Sequence, residues 1–247
     1  VTKKTLAICG DSYMSPVSIF PGKHFAEILA LRLDYELIPL SRNGMSNGGI
    51  ALQLESVAKL RPDITLIGTT FQSRIEYPIT NSMYDRIENS KNILYKGSYS
   101  MSSFVENEYT GSNPILVSTN VGDMLDESKL PYFPFYNRAV DNFDEKVKAI
   151  QNYFAYLYHD GWKKKQDQLL LYATLHQLES LGLNYFICFD YVDLVSNCPW
   201  IKNDISKEIM YKANMEPLEI QEKMPFHTSF ELQEEFAEIV FNKIKGI

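Results

Sequence analysis

The chain has 247 residues, 45% of them hydrophobic and 22% charged, which suits one α/β domain with insertions and excludes extended disorder. A formal net charge of -7, with Lys163-Lys164-Lys165 as the only basic run, excludes a general nucleic-acid surface, since phosphate binding needs concentrated Lys or Arg. No stretch reaches the roughly eighteen uninterrupted apolar residues of a membrane-spanning helix, and no His-x-x-x-His or Cys-x-x-Cys spacing points to a metal, so no membrane, metal or cofactor is expected.

Thr5 to Asp11 reads as a first strand, an apolar run Leu6-Ala7-Ile8-Cys9 that stops at Gly10-Asp11-Ser12. If it is the central strand of a parallel sheet, Ser12 lies just past its carboxyl end, where open α/β sheets place ligands. The alternative is a plain Asx or Ser turn. Pro16, Pro21 and Gly22 delay the next helix to about Lys23, after which Phe25, Ile28, Leu29 and Leu33 share one face. His24 opens that helix and reads as a cap or an exposed residue rather than a base. Tyr35 to Leu40 is a second strand, with Pro39 marking an edge. The turn from Ser41 to Gly49 is dense in glycine and enters a helix carrying Ile50, Leu54, Val57 and Ala58, so backbone N–H groups at that terminus favour negative charge.

Asp63 to Thr70 is a third strand, followed by Phe71-Gln72-Ser73-Arg74-Ile75-Glu76. Residues from about 77 to 140 lack steady periodicity and read as an insertion, with Ile115 to Ser118 a strand inside it. It would serve as a lid, a substrate wall or an oligomerising arm. Helices are expected over Asn142 to Tyr158 and Gln166 to Leu181, the second with a broad apolar face including Leu169, Leu170 and a packed His176, ending at Gly182. The triple lysine before it reads as solvated loop or helix start. Asn184 to Asp190 is a buried strand with Asp190 at its carboxyl end, and Tyr191 to Lys223 is irregular with short helical turns. In the last helix Thr228 and Glu231 have capping-box spacing, and Leu232, Phe236, Val240 and Ile244 form the buried stripe. His227 therefore precedes that helix on a loop. Cys9, Cys188 and Cys198 are an odd set, two of them inside apolar runs, which suggests a reducing compartment. No leader sequence and no Asn-x-Ser/Thr sequon is found, consistent with a cytoplasmic or virion-associated protein.

Gly10-Asp11-Ser12-Tyr13, Asn43-Gly44-Met45-Ser46-Asn47 and Pro225-Phe226-His227-Thr228-Ser229 together resemble the first, second and last blocks of the SGNH (GDSL-type) hydrolases, in the style of divergent bacteriophage members. The resemblance covers about residues 4 to 76 and 184 to 247. It implies one flavodoxin-like three-layer α/β sandwich around a parallel sheet, with Ser12 as nucleophile, His227 as general base and the Gly44 N–H in an oxyanion hole. The implied activity is hydrolysis of a small acyl ester such as an acetylated carbohydrate, without cofactor and without a nucleic-acid or membrane partner; a homo-oligomer is left open.

Two blocks depart from the family pattern. The third places Asn after the Gly of strand three as a second oxyanion donor, and here Thr70 stands in that position, leaving Thr70, Gln72, Arg74 or Asn47 to donate instead. The family also sets a carboxylate three residues before its His, where this chain has Met224. Asp190, Asp193 or Glu222 would then orient His227, or the backbone would. These departures equally suit a catalytically weak or inactive SGNH-like binding or virion module. Two further readings stand beside it. Gly44-Met45-Ser46-Asn47-Gly48 matches the G-x-S-x-G elbow, with Ser46, Asp190 and His227 as a triad, but only two strands precede it. The same turn as a phosphate binder lacks the G-x-G-x-x-G spacing.

Overall fold

Successive residues of the first strand enter two different cores, and that alternation organises the molecule. The computed structural model describes residues 3–16, 20–79, 102–105, 115–120, 143–198, 200–201, 203–224 and 226–246. Its elements run β1 (Thr5–Cys9), α1 (Phe25–Leu33), β2 (Glu36–Pro39), α2 (Asn47–Leu60), β3 (Ile64–Gly68), β4 (Arg74–Ile79), β5 (Ser102–Val105), β6 (Ile115–Asn120), α3 (Phe143–Tyr156), α4 (Asp160–Ser180), β7 (Tyr185–Phe189), α5 (Ser206–Met215), α6 (Leu218–Lys223) and α7 (Phe230–Lys245).

Leu6 and Ile8 of β1, Ile64 and Leu66 of β3, and Phe186 and Cys188 of β7 pack with α1, α5 and α7 in one core. Ala7 and Cys9, Ile67, and Tyr185 and Ile187 pack with α2 and α4 in the other. Burial on both faces is why these strands read as unbroken apolar runs rather than alternating ones. The result is an α/β fold with a four-stranded, all-parallel sheet of order β2-β1-β3-β7 flanked by helices, a layout compatible with a flavodoxin-like sandwich. Pro39 lies in edge strand β2, where its missing N–H costs no ladder bond. From β1 the chain leaves to β2 on one side and later returns to β3 on the other, so the loops after β1 and β3 flank a topological switch point. Among the described residues, no helix is long and apolar enough to cross a membrane.

The expected strand at Ile115 to Ser118 is β6, paired antiparallel with both β4 and β5 in a separate three-stranded sheet. The lid or arm assigned to the rest of the insertion lies outside the described residues.

Several expectations need correction. Helix α4 begins six residues before Gln166, because the His159 side chain accepts the Trp162 N–H at 3.1 Å and caps it. Lys163 is thus no solvated loop residue: it is buried and paired with Asp167 one turn on. On the same helix Leu171, Leu175 and Leu178 face the core, whereas Leu169, Leu170 and His176 are exposed, His176 lying edge-on to Trp200. The stretch read as irregular holds the ten-residue helix α5, kept in place by buried Ile209 and Ala213. The cap of α7 is Ser229, which accepts the Leu232 N–H at 3.2 Å, while Thr228 turns inward.

Gly10 is required where β1 meets its loop. Its φ is +147°, and a Cβ there would lie 2.4 Å from Met14 Cγ and 2.9 Å from the Gly68 carbonyl oxygen. The side chain of Gln53 clamps the same residue, accepting its N–H at 2.6 Å and donating to its carbonyl at 3.3 Å.

Candidate active site

Ser12 follows Gly10 and Asp11 in a tight turn in which the Met14 N–H reaches the Asp11 carbonyl at 3.1 Å and the Tyr13 N–H reaches Asp11 Oδ1 at 3.1 Å. The turn reading and the nucleophile reading are therefore compatible, because an Asx turn presents the serine. His227 Nε2 lies 3.0 Å from Ser12 Oγ, although the two residues are 215 positions apart in sequence.

Four contacts bring the histidine there. Its own N–H closes a turn on the Met224 carbonyl at 3.1 Å, and its φ of +59° is a left-handed conformation that histidine adopts more readily than most residues. Phe226 before it is fully buried against the His24 ring, at 5.2 Å between centroids. Thr228 after it accepts from Gln233 Nε2 at 2.6 Å, and Gln233 Oε1 in turn accepts the Phe25 N–H at 2.7 Å, locking α7 to α1. Ser229 donates both its N–H, at 2.7 Å, and its hydroxyl to the carboxylate of Glu216. The imidazole rests against Tyr13, with ring centroids 4.7 Å apart.

A neutral ring protonated on Nδ1 would leave the Nε2 lone pair facing the serine hydroxyl. Burial pushes the His227 pKa below its ordinary value; the Asp11 carboxylate and the Gln221 carbonyl oppose that shift and Arg74 reinforces it.

Asp190 is placed elsewhere. Its oxygens accept the N–H groups of Leu194 at 2.8 Å and Val195 at 2.9 Å, so it organises the turn after β7 rather than the imidazole. Burial raises its pKa, with those two N–H groups acting against the rise. Asp193 pairs with Lys164. Glu222 is in α6, and its side chain lies outside the described residues. Replacing Asp190 with alanine is expected to cost about 1–3 kcal/mol of stability through two lost charge-assisted bonds while leaving ester turnover within about threefold, read by urea titration beside kinetics.

The four residues considered for the second oxyanion donor separate clearly. Asn47 is buried between the two loops: its Nδ2 donates to the Thr70 carbonyl at 2.8 Å and to Asp167 Oδ2 at 2.9 Å, and its Oδ1 accepts the Thr70 N–H at 2.9 Å. Both amide hydrogens are thereby engaged. Thr70 donates its hydroxyl to Asp11 Oδ2 at 2.7 Å. Gln72 donates its side-chain amide to Asp160 Oδ2 at 2.6 Å, and its backbone carbonyl takes the Tyr158 hydroxyl at 3.0 Å. Arg74 reaches inward, with NH1 3.0 Å from Asp11 Oδ2 and 3.1 Å from the Met45 carbonyl. Gly44 occupies the turn beside Met45 with φ of +76°. Ser46 is the buried N-cap of α2, accepting the Gly49 N–H at 3.3 Å, which removes it as a nucleophile and with it the elbow triad.

No family model matches this sequence, and no curated protein does either.

The sequence reading gives Asp11 only a turn, yet it accepts from Thr70, Arg74 and Tyr13 together and is almost wholly buried. An acid directly after an apolar strand is itself a signal, since a buried carboxylate needs partners. Glu216 and Gln233 were also missed. Among the described residues no group of three or more His, Cys, Asp or Glu is arranged to hold a metal.

Proposed function

We propose that this protein is a serine ester hydrolase of SGNH type working through a Ser12–His227 dyad, with small acyl esters such as acetylated carbohydrates as its substrate class. The observation that carries the reading is the 3.0 Å approach of His227 Nε2 to Ser12 Oγ at the carboxyl edge of the parallel sheet. Ser12 Oγ attacks the ester carbonyl carbon as its proton passes to Nε2, and the carbonyl π pair moves onto oxygen. Collapse breaks the carbon–alkoxy bond, and the leaving oxygen takes the proton from His227. A water then repeats the sequence on the acyl-serine, giving its proton to Nε2 and releasing the acid with the serine restored. The Gly44 N–H is assigned to the oxyanion by the resemblance of its block. Asp190 and Asp193 are engaged elsewhere, which fits a dyad weaker than one with a charged third member.

The second reading is a non-catalytic module of the same fold, favoured by one observation: both amide hydrogens of Asn47 and the hydroxyl of Thr70 are engaged inside the protein. Hydrolysis of a p-nitrophenyl acyl ester series, with fluorophosphonate labelling of wild type and Ser12→Ala, separates the two. Turnover and labelling that vanish in Ser12→Ala support the esterase. A folded wild type that neither turns over nor labels supports the module.

A further inference from the structure

Arg74 joins the two loops between which an ester carbonyl would sit. Its NH1 touches the carboxylate of Asp11, the residue before Ser12, and the carbonyl of Met45, the residue after Gly44. The side chain is 17% exposed and Asp11 only 1%, so a guanidinium still partly open to solvent is held by a buried anion. NH1 alone makes both contacts, and a guanidinium carries three more N–H groups in a rigid plane on Nε and NH2. The other three candidates are engaged with named protein acceptors: Asn47 with both amide hydrogens at Thr70 and Asp167, Thr70 with its hydroxyl at Asp11, and Gln72 with one amide hydrogen at Asp160.

We infer that Arg74 is the second oxyanion donor, supplying from a charged guanidinium the N–H that Thr70, whose hydroxyl is engaged with Asp11, does not. The inference rests on the proposed esterase reading and deepens it. As Ser12 Oγ bonds to the carbonyl carbon, the π pair localises on oxygen, and Arg74 donates an N–H to that oxygen while keeping its proton. A cation is suited to this role because the charge it meets exists only in the transition state and intermediate. Asp11 has a defined part: it fixes the guanidinium and offsets its charge, so that the empty site is not strongly cationic. Asp11 is a positioning residue, since it also accepts the Tyr13 N–H in the turn that presents Ser12.

The test uses wild type, Arg74→Ala and Arg74→Lys on the same ester series, with thermal melts alongside. Loss of one such donor is expected to lower kcat by about 10²- to 10³-fold with KM within about threefold. Arg74→Lys keeps the ion pair with Asp11 but not the planar donor set, and should recover only part of the rate. Added guanidinium ion should restore turnover to Arg74→Ala and not to wild type. The affinity of a boronic acid, which forms a tetrahedral anion on serine, should fall in step with kcat/KM, an effect that loop support alone would not produce. An Arg74→Ala protein that melts normally and keeps kcat within about threefold of wild type overturns the inference while leaving the esterase reading intact. If Arg74→Ala does not fold, Arg74→Lys with unchanged kcat and boronate affinity overturns it equally. A folded wild type inert to every ester removes the esterase reading and this inference together.

Discussion

Replacing His227 with alanine is expected to lower kcat/KM by about 10⁴-fold or more, matching the loss in Ser12→Ala, because the two side chains act as one proton-transfer unit and their effects do not add. The double variant should accordingly be no worse than either single one. In the proposed dyad Nε2, 3.0 Å from Ser12 Oγ, is the base, and without it the hydroxyl would have to attack while still protonated. Imidazole in the buffer should recover part of the His227→Ala rate and none of the Ser12→Ala rate. The wild-type pH profile is a second measurement of the same group. Burial holds the His227 pKa below its ordinary value of 6.5, so the neutral, base-competent ring persists further into acid than a free imidazole would. As pH falls through that depressed value, Nε2 takes a proton and kcat/KM declines, giving an acid limb centred below about 6.5. A limb at or above that value would overturn the depressed pKa, and His227→Ala activity within about tenfold of wild type would show that His227 is not the base.

The sheet was legible in the sequence because its strands are buried on both faces and so form apolar runs bounded by Gly, Pro and Asp. β1, β3 and β7 were all placed to within two residues. The helices were less so. Helix α4 hides a buried ion pair in its first turn, and Lys163 next to two other lysines has the composition of a surface. Helix α5 buries few residues, and periodicity is weak evidence when a face is that narrow. At the site, the serine and histidine were visible as types in motif positions. Their partners were not, because a residue's type does not say which acceptor it will meet. Asn47 could have faced an oxyanion, yet it ties Thr70 to Asp167, a residue 120 positions away. Asp190, correctly placed at a strand end, is held by the N–H groups four and five residues on, a local satisfaction that long-range triad logic overlooks.

Acid is expected to destabilise the protein through His24, by about 3 kcal/mol in total, well before its carboxylates are neutralised. His24 is fully buried, and burial lowers its pKa to about 4, opposed by the Tyr13 carbonyl. Nδ1 accepts the Ala26 N–H at 3.3 Å as the N-cap of α1, and Nε2–H donates to the Tyr13 carbonyl at 3.1 Å, so the neutral ring uses one nitrogen in each role. A second proton would have to enter on Nδ1, directly against the Ala26 N–H. The folded pKa lies below the unfolded one, so the unfolded chain binds the proton first. His24 therefore exacts no penalty above about pH 6.5, an increasing one as pH falls toward 4, and a constant one below that. Most of the loss, about 2.5 kcal/mol, should be present at pH 4.5. Asparagine can keep the cap by accepting the same N–H but cannot titrate, so His24→Asn should be slightly less stable than wild type at pH 7.5 and more stable at pH 4.5. Urea titrations of both proteins at the two pH values measure the difference, and carboxylate contributions common to both cancel in it. Parallel pH dependences would assign the acid sensitivity to another group. The location gives the titration a functional consequence: the ring bonds to the residue after Ser12 and packs against Phe226, the residue before His227. Charging it strains both chain segments that bring the serine and histidine together, so below about pH 5 the catalytic rate of wild type should fall more steeply than one base titration allows, and that of His24→Asn should not.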